Sequence, residues 1–180
     1  MSKQMDFIPV CEPTFSGNER KYLLDAFDSG WISSTGEYVK KLENYFSSYC
    51  GLDFGITVSN GTVALHTALV ALDIRKGDEV IIPNFNGIYG AFAICYQGAI
   101  PVFVDAEPET WNIDPEKIEE KITNRTKAIM AVHIYGHPCD MDPIISIAKK
   151  HNLKVVEDAA EAHGGDYRGK KCGSLADISI

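Results

Sequence analysis

Two short polar stretches, each at the end of an apolar segment, carry the residues best able to do chemistry. The first is "VVEDAAEAH" (155–163), in which Asp158 ends an apolar run and Glu161 follows three residues later. A carboxylate at the end of a buried strand stays charged only if a cation or good donors face it. A protonated pyridine nitrogen is such a cation, and aspartate is its known partner in pyridoxal phosphate (PLP) enzymes. A capping acid at a strand–loop junction is the alternative interpretation.

The second stretch is "VSNGTVALH" (58–66), where a predicted strand passes directly into a helix. Free backbone N–H groups at a helix start bind anions such as phosphate, and Gly61 would let a phosphate approach the backbone closely. Asn60 and Thr62 flank that glycine. These residue types also favour helix N-caps, and the residues alone favour the cap. The stretch lacks the lysine and further glycines of the P-loop and of the dinucleotide-binding fingerprint.

A third stretch, "HIYGHPCD" (133–140), contains His133, His137 and Cys139, three side chains that can bind a metal. Their spacing matches no zinc pattern, and no second cluster of cysteine and histidine follows. A glycine and a proline within the stretch favour a turn from strand to helix. We therefore predict no metal site here.

The elements that must position these residues alternate regularly along the chain. Apolar runs predict strands, and apolar residues at helical spacing predict helices between them. The predicted strands are 54–59, 78–83, 100–105, 127–134 and 153–158, and the predicted helices are 17–30, 36–51, 60–72, 90–98, 115–122 and 142–151. Strands that are apolar throughout favour a mostly parallel sheet with helices on both faces, a three-layer α/β fold. We assign residues 1–50 to an N-terminal helical arm and residues 51–180 to one large domain.

The composition limits the partners. The 180 residues are 45% hydrophobic and carry a net charge of -8, which argues against a nucleic acid or an anionic membrane as a partner. No apolar run is long enough to span a bilayer. The five cysteines are scattered and form no C-x-x-C pair, so we predict reduced thiols and a cytoplasmic location.

Taken together, the segments resemble the sugar aminotransferases of the DegT/DnrJ/EryC1/StrS family, which are PLP enzymes of fold type I. The resemblance covers essentially the whole chain and is carried, in the family's order, by "GWISSTGEYVKKLE", "VSNGTVALHTALVAL", "GDEVIIP", "AIMAVHIYGHPCDMD" and "VVEDAAEAHGG". It implies a PLP-binding large domain, a homodimer and amination of a 4-keto-6-deoxy sugar nucleotide with glutamate as donor. The pathway implied is that of O-antigen or a similar surface polysaccharide, and GDP and dTDP sugars both remain open.

The resemblance also assigns cofactor-binding residues. It implies that Gly61 and Thr62, with the adjoining Asn60, hold the cofactor phosphate. Asp158 matches the acid that pairs with the pyridine nitrogen, and Glu161 matches the residue that hydrogen-bonds the ring hydroxyl.

The resemblance also bears on the substrate site and on the residue that stacks on the cofactor ring. Trp31 and Ser33 lie in the segment that approaches the nucleotide-sugar site in the family. Relatives commonly place a flat side chain over the cofactor ring in the loop after "IIP", where this chain has Gly87 with Phe85 and Tyr89 two residues to either side. The stacking residue therefore stays unassigned.

The Schiff-base lysine of the family lies beyond Ile180, and Lys170 and Lys171 match no such position. We therefore expect an N-terminal part of an aminotransferase, truncated within the large domain and inactive alone, with its catalytic residue unknown. One alternative is a sugar 3-dehydratase of the same family, in which histidine replaces that lysine. A second is a non-catalytic fragment that associates with a partner subunit.

Overall fold

The computed structural model describes residues 7–9 and 12–180; Cys11 lies outside them. The helices are α1 (Glu19–Asp28), α2 (Glu37–Cys50), α3 (Gly61–Ala71), α4 (Tyr89–Tyr96) and α5 (Met141–Lys150). The strands are β1 (Glu79–Pro83), β2 (Ile100–Val104), β3 (Thr126–Val132), β4 (Lys154–Asp158), β5 (Asp166–Tyr167), β6 (Lys170–Lys171) and β7 (Ile178–Ser179). Among the described residues, no helix is long and apolar enough to cross a bilayer.

Five strands form one sheet in the order β2-β1-β3-β4-β7, and every neighbouring pair in it is parallel. β1 is buried along its whole length, and β3 and β4 are buried except for one lysine each. The two short strands β5 and β6 form a separate antiparallel hairpin. The predicted mostly parallel sheet is confirmed.

Helices cover both faces of the sheet. Successive strand residues point to opposite faces, so Ile82 packs with α3 and α4 whereas its neighbour Ile81 packs with α5. Leu65 and Ile94 are fully buried on the first face, and Ile144 is fully buried on the second. The three-layer α/β arrangement follows from this division of the core.

Two predicted elements are wrong. Residues 54–59 form no strand: Phe54 and Ile56 are exposed, and the Thr57 backbone N–H donates to Oε1 of Glu43 at 2.9 Å instead of to a neighbouring strand. Residues 115–122 form two short 3-10 turns, Pro115–Lys117 and Glu119–Lys121, instead of an α-helix. Eight residues are too few for a stable helix without strong tertiary packing, and in this segment only Ile118 is fully buried.

The first two helices have little contact with the rest of the protein. α1 has no buried residue, and α2 buries only Ser47 and Cys50. Large apolar side chains such as Leu23 and Phe27 are exposed on α1. The division into an arm (1–50) and a large domain (51–180) stays a prediction.

Candidate active site

One edge of the sheet collects most of the polar stretches singled out in the sequence. Parallel strands β1–β4 all end at this edge, and α4 begins there shortly after β1. α3 has eleven residues, about 16 Å of helix, and a short link joins its end to the start of β1. Its first residue therefore lies near the far end of β1, at the carboxyl edge. Ligands of open α/β sheets bind outside this edge.

Asp158, the last residue of β4, has a buried carboxylate that is only half satisfied. Its Oδ1 accepts the Ala160 backbone N–H at 3.2 Å, while its buried Oδ2 has no hydrogen-bond partner among the described residues. Burial raises the pKa of Asp158 above its ordinary value. A buried carboxylate oxygen without a donor is unfavourable, so the site fits a ligand that brings a cationic N–H. The protonated ring nitrogen of PLP is such a group.

Glu161 is exposed in the loop beyond Asp158 and is tied to the turn that follows β3. Its Oε2 accepts the backbone N–H of Tyr135 at 2.6 Å. The buried Asn112 supports the same turn, because its Oδ1 accepts from the Ile134 backbone at 3.1 Å and its Nδ2 donates to the His137 carbonyl at 3.0 Å. The ends of β3 and β4 are thus joined around the candidate site.

Asn60 is the N-cap of α3, as the residue types favoured. Its Oδ1 accepts the Val63 backbone N–H at 3.0 Å. Within the described part of the chain, the backbone N–H groups of Gly61 and Thr62 donate to no protein acceptor. The space beside Gly61, where a Cβ would project, is open. The start of α3 therefore presents two free donors, to which an anion would be attracted.

The aromatic residues at this edge divide into two groups. Tyr89 is the first residue of α4, and its ring lies over Gly87. Phe85 instead contacts Trp111 and Tyr135, with ring centroids 5.3 and 6.3 Å away. Both of these partners are exposed and have positive φ angles, which is uncommon for aromatic residues. No role for this cluster could be predicted from the sequence, because folding brings Phe85, Trp111 and Tyr135 together from three separate segments.

Glu157, the residue before Asp158, has a structural role that the sequence alone did not predict. It is fully buried and accepts four hydrogen bonds: from His133 Nε2 at 3.0 Å, from the backbone of Gly173 at 2.6 Å and Leu175 at 2.8 Å, and from Ser179 Oγ at 2.7 Å. Burial alone would raise the pKa of Glu157, but these donors hold it below its ordinary value. The sequence did contain a signal for these donors, namely an acid inside an apolar strand, because a buried carboxylate requires hydrogen-bond donors.

Two of the three potential metal ligands of residues 133–140, His133 and Cys139, make other hydrogen bonds. His133 Nδ1 accepts the Cys139 backbone N–H at 3.1 Å, so its proton lies on Nε2, which faces Glu157. His137 is exposed. Among residues 7–9 and 12–180, the one group with closely placed ligand atoms is His133, Glu157 and Cys172, within 4.8 Å of one another. Both ring nitrogens of His133 are engaged, so within this group His133 and Glu157 form a hydrogen-bonded pair.

The remaining residues singled out in the sequence lie apart from these contacts. Trp31 is 64% exposed, and the Ser33 hydroxyl contacts Thr35 Oγ1 at 3.0 Å. Across the described residues, neither Trp31 nor Ser33 forms a hydrogen bond with the strand-end residues. Lys170 and Lys171 form β6 of the short hairpin.

Comparison with known proteins gives the class to which this fold and site belong. The family description "DegT/DnrJ/EryC1/StrS aminotransferase family" matches residues 13–180. The chain belongs to this family, whose members are PLP-dependent aminotransferases of fold type I.

Individual relatives show how similar the chain is to particular members of the family. The chain is 53% identical to GDP-perosamine synthase of Escherichia coli O157:H7, over 97% of its own length and 48% of that protein. It is 55% identical to dTDP-3-amino-3,6-dideoxy-alpha-D-galactopyranose transaminase of Aneurinibacillus thermoaerophilus, over 84% of its own length and 42% of that protein. A Bacillus subtilis structure with bound cofactor PMP superimposes with a TM-score of 0.82 at 38% identity, over 89% of this chain and 36% of that one. The chain thus spans about half the length of the relatives it matches, or less.

Proposed function

We propose that the full-length protein is a PLP-dependent aminotransferase that converts GDP-4-keto-6-deoxymannose to GDP-perosamine, with glutamate as the amino donor. The observation that carries this proposal is the buried Oδ2 of Asp158, which has no partner among the described residues and lies at the carboxyl edge of the sheet. The names of the similar proteins support a nucleotide-sugar substrate. The similarity to GDP-perosamine synthase covers 97% of this chain, whereas the similarity to the dTDP-sugar transaminase covers 84%, which favours the GDP sugar.

The residues of this edge would divide the work of binding the cofactor. When bound, PLP supplies an electron sink for deprotonation at carbon. The ionised carboxylate of Asp158 would hold a proton on the pyridine nitrogen, because a negative charge in a buried site favours the charged form of its partner. Glu161 keeps Oε1 available to accept from the ring hydroxyl, since the Tyr135 backbone N–H engages only its Oε2.

The phosphate would bind at the start of α3. The free N–H groups of Gly61 and Thr62 would donate to the phosphate, and the helix dipole would add to the attraction. Asn60 contributes indirectly, because its side chain is occupied in capping the helix. The net charge of -8 makes such placed backbone donors necessary for holding a phosphate.

The remaining parts of the proposal concern substrate and assembly. Trp31 and Ser33 would contact the nucleotide sugar, with Trp31 offering an exposed aromatic face to the base or sugar. The exposed apolar side chains of α1 and α2 support a homodimer. The described cysteines are all free, which supports a cytoplasmic enzyme of O-antigen synthesis. The Schiff-base lysine would come from outside these 180 residues.

The proposal is tested with the full-length protein, PLP, glutamate and GDP-4-keto-6-deoxymannose, followed by mass spectrometry of the sugar nucleotide. We expect GDP-perosamine and 2-oxoglutarate to form in equal amounts. A dTDP-4-keto-6-deoxy sugar serves as the matched control substrate and should be converted much more slowly. Conversion of the dTDP sugar alone would contradict the assigned substrate, and bound PLP without amination of either sugar would contradict the aminotransferase.

A further inference from the structure

Gly87 is a glycine for a reason other than its backbone conformation. Its φ lies outside the left-handed region, so the backbone there would accept any residue. The space for a side chain is nevertheless taken, because a Cβ on Gly87 would overlap Cε1 and Cζ of the Tyr89 ring. The Tyr89 ring therefore occupies the volume that a side chain at position 87 would fill.

The helix that carries Tyr89 is held close to the sheet. A Cβ on Gly90 would lie 2.7 Å from Cδ1 of Ile82 and 3.3 Å from Sδ of Met130, so the absence of a side chain at Gly90 permits the close approach. Tyr89 is partly buried and packs against the core between α3, α4 and the sheet. Its ring is thus fixed at the carboxyl edge by the packing of its own helix.

The two acids of the proposed cofactor site act on the phenol of Tyr89 through their charge. Burial raises the pKa of Tyr89, and the nearby carboxylates of Asp158 and Glu161 raise it further. The hydroxyl is therefore protonated at neutral pH. A neutral aromatic ring thus lies at the same edge of the sheet as Asp158, whose Oδ2 has no partner among the described residues, and flat rings pack well on such aromatic surfaces.

We propose that Tyr89 supplies the aromatic surface against which the PLP ring packs, in place of a side chain at position 87. This inference rests on the proposed function, because it requires that PLP bind at Asp158. Tyr89 begins α4 and Asp158 ends β4 at the same edge of the sheet, so the Tyr89 ring would be available to a PLP ring held by Asp158 and Glu161. Phe85 does not take this position, because its ring packs with Trp111 and Tyr135.

The test measures PLP affinity of the full-length protein by absorbance and fluorescence titration, without any turnover. Tyr89→Phe keeps the ring and should stay within about twofold of the wild type, whereas Tyr89→Leu fills the same core space without an aromatic ring and should weaken PLP binding about tenfold. Tyr96→Leu is the matched control, because Tyr96 ends the same helix and is 63% exposed. It should bind PLP as the wild type does.

A second set of variants tests the shared space directly. Gly87→Tyr should destabilise the protein in thermal unfolding, because the new side chain collides with the Tyr89 ring. In the double variant Gly87→Tyr, Tyr89→Ala the collision is removed, and we expect both the stability and the PLP affinity to recover.

The outcomes separate the two proposals. If wild-type protein binds PLP and folded Tyr89→Leu binds it equally well, the role of Tyr89 is overturned while the proposed function stands. If wild-type protein does not bind PLP, the proposed function fails, and the inference fails with it. If Tyr89→Leu does not fold, the double variant decides: recovered PLP affinity supports the shared aromatic position, and affinity that stays low in a folded double variant overturns it.

Discussion

At the scale of single residues, the two adjacent acids at the end of β4 have opposite environments. Glu157 accepts four hydrogen bonds, whereas Asp158 accepts one and leaves Oδ2 buried without a donor among the described residues. Their pKa values move in opposite directions accordingly. Glu157 therefore stabilises the fold, while Asp158 is retained at a cost to stability that a cationic ligand would offset.

Replacing Asp158 should separate stability from binding. Asp158→Asn removes a desolvated charge, so we expect the free energy of unfolding without cofactor to rise by about 1–2 kcal/mol at neutral pH. PLP binding should weaken by more than tenfold. The pKa of Asp158 is raised in the folded state. The buried charge therefore lowers stability at pH values above this folded-state pKa. The loss of stability disappears as the pH falls from the folded-state pKa towards the ordinary pKa of aspartate. Denaturant unfolding of both proteins across this pH range provides the measurement, and a destabilised variant at neutral pH would contradict it.

Replacing Glu157 should have the reverse effect. Glu157→Gln replaces a carboxylate oxygen by an amide N–H, which cannot accept from the donors around it. We expect the free energy of unfolding to fall by about 2–4 kcal/mol at neutral pH. The pKa of Glu157 is lowered in the folded state, so its stabilisation is present above the ordinary value of 4.5 and is lost as the pH falls through the folded pKa. The difference between wild type and variant in urea unfolding should therefore shrink in acid. A difference that stays constant down to the lowest pH would show that the charge is not responsible.

At the scale of elements, α3 combines a cap with a free N-terminus. Asn60→Ala should cost about 1 kcal/mol of stability, because Val63 loses its side-chain acceptor. Asn60→Asp preserves the cap but adds a negative charge beside the proposed phosphate site. We expect Asn60→Asp to fold as stably as wild type in thermal unfolding and yet to bind PLP more weakly.

This pair of variants distinguishes the cap from the phosphate site. If Asn60→Asp bound PLP as tightly as wild type, the phosphate would lie elsewhere than at the start of α3.

The apolar surface of α1 belongs to the scale of the whole molecule. Leu23 is 71% exposed, and no residue of its helix, α1, is buried. If α1 contributes to a homodimer, Leu23→Glu should shift the full-length protein from dimer towards monomer in analytical ultracentrifugation. Arg20→Glu, an exposed change on the same helix, should leave the dimer intact. An unchanged dimer in both variants would exclude the α1 surface from the interface.

Most of the fold could be predicted because its strands are buried on both faces and therefore read as continuous apolar runs. The same pattern was misleading at residues 54–59, where apolar residues are present but the backbone finds no partner strand among those described. Whether a strand pairs depends on distant segments, and a local pattern does not contain that information. The helix predicted at 115–122 failed for a similar reason, since its packing was too limited to sustain it.

The candidate site was predictable where a residue acts through its own chemistry. Asp158, Glu161 and the start of α3 could be singled out from residue type and position alone. Glu157 and Tyr89 could not be assigned, because their roles depend on partners that folding brings from distant or neighbouring segments, such as Ser179 and Gly87. In the loop after β1 the resemblance left the stacking residue unassigned, and only the structure shows that the Tyr89 ring occupies the space beside Gly87.

The most direct test of the central claim is a crystal structure of the full-length protein with PLP bound. We expect the pyridine nitrogen within hydrogen-bond distance of Oδ2 of Asp158 and the phosphate at the backbone N–H groups of Gly61 and Thr62. PLP bound elsewhere, or with its nitrogen facing a residue other than Asp158, would contradict it.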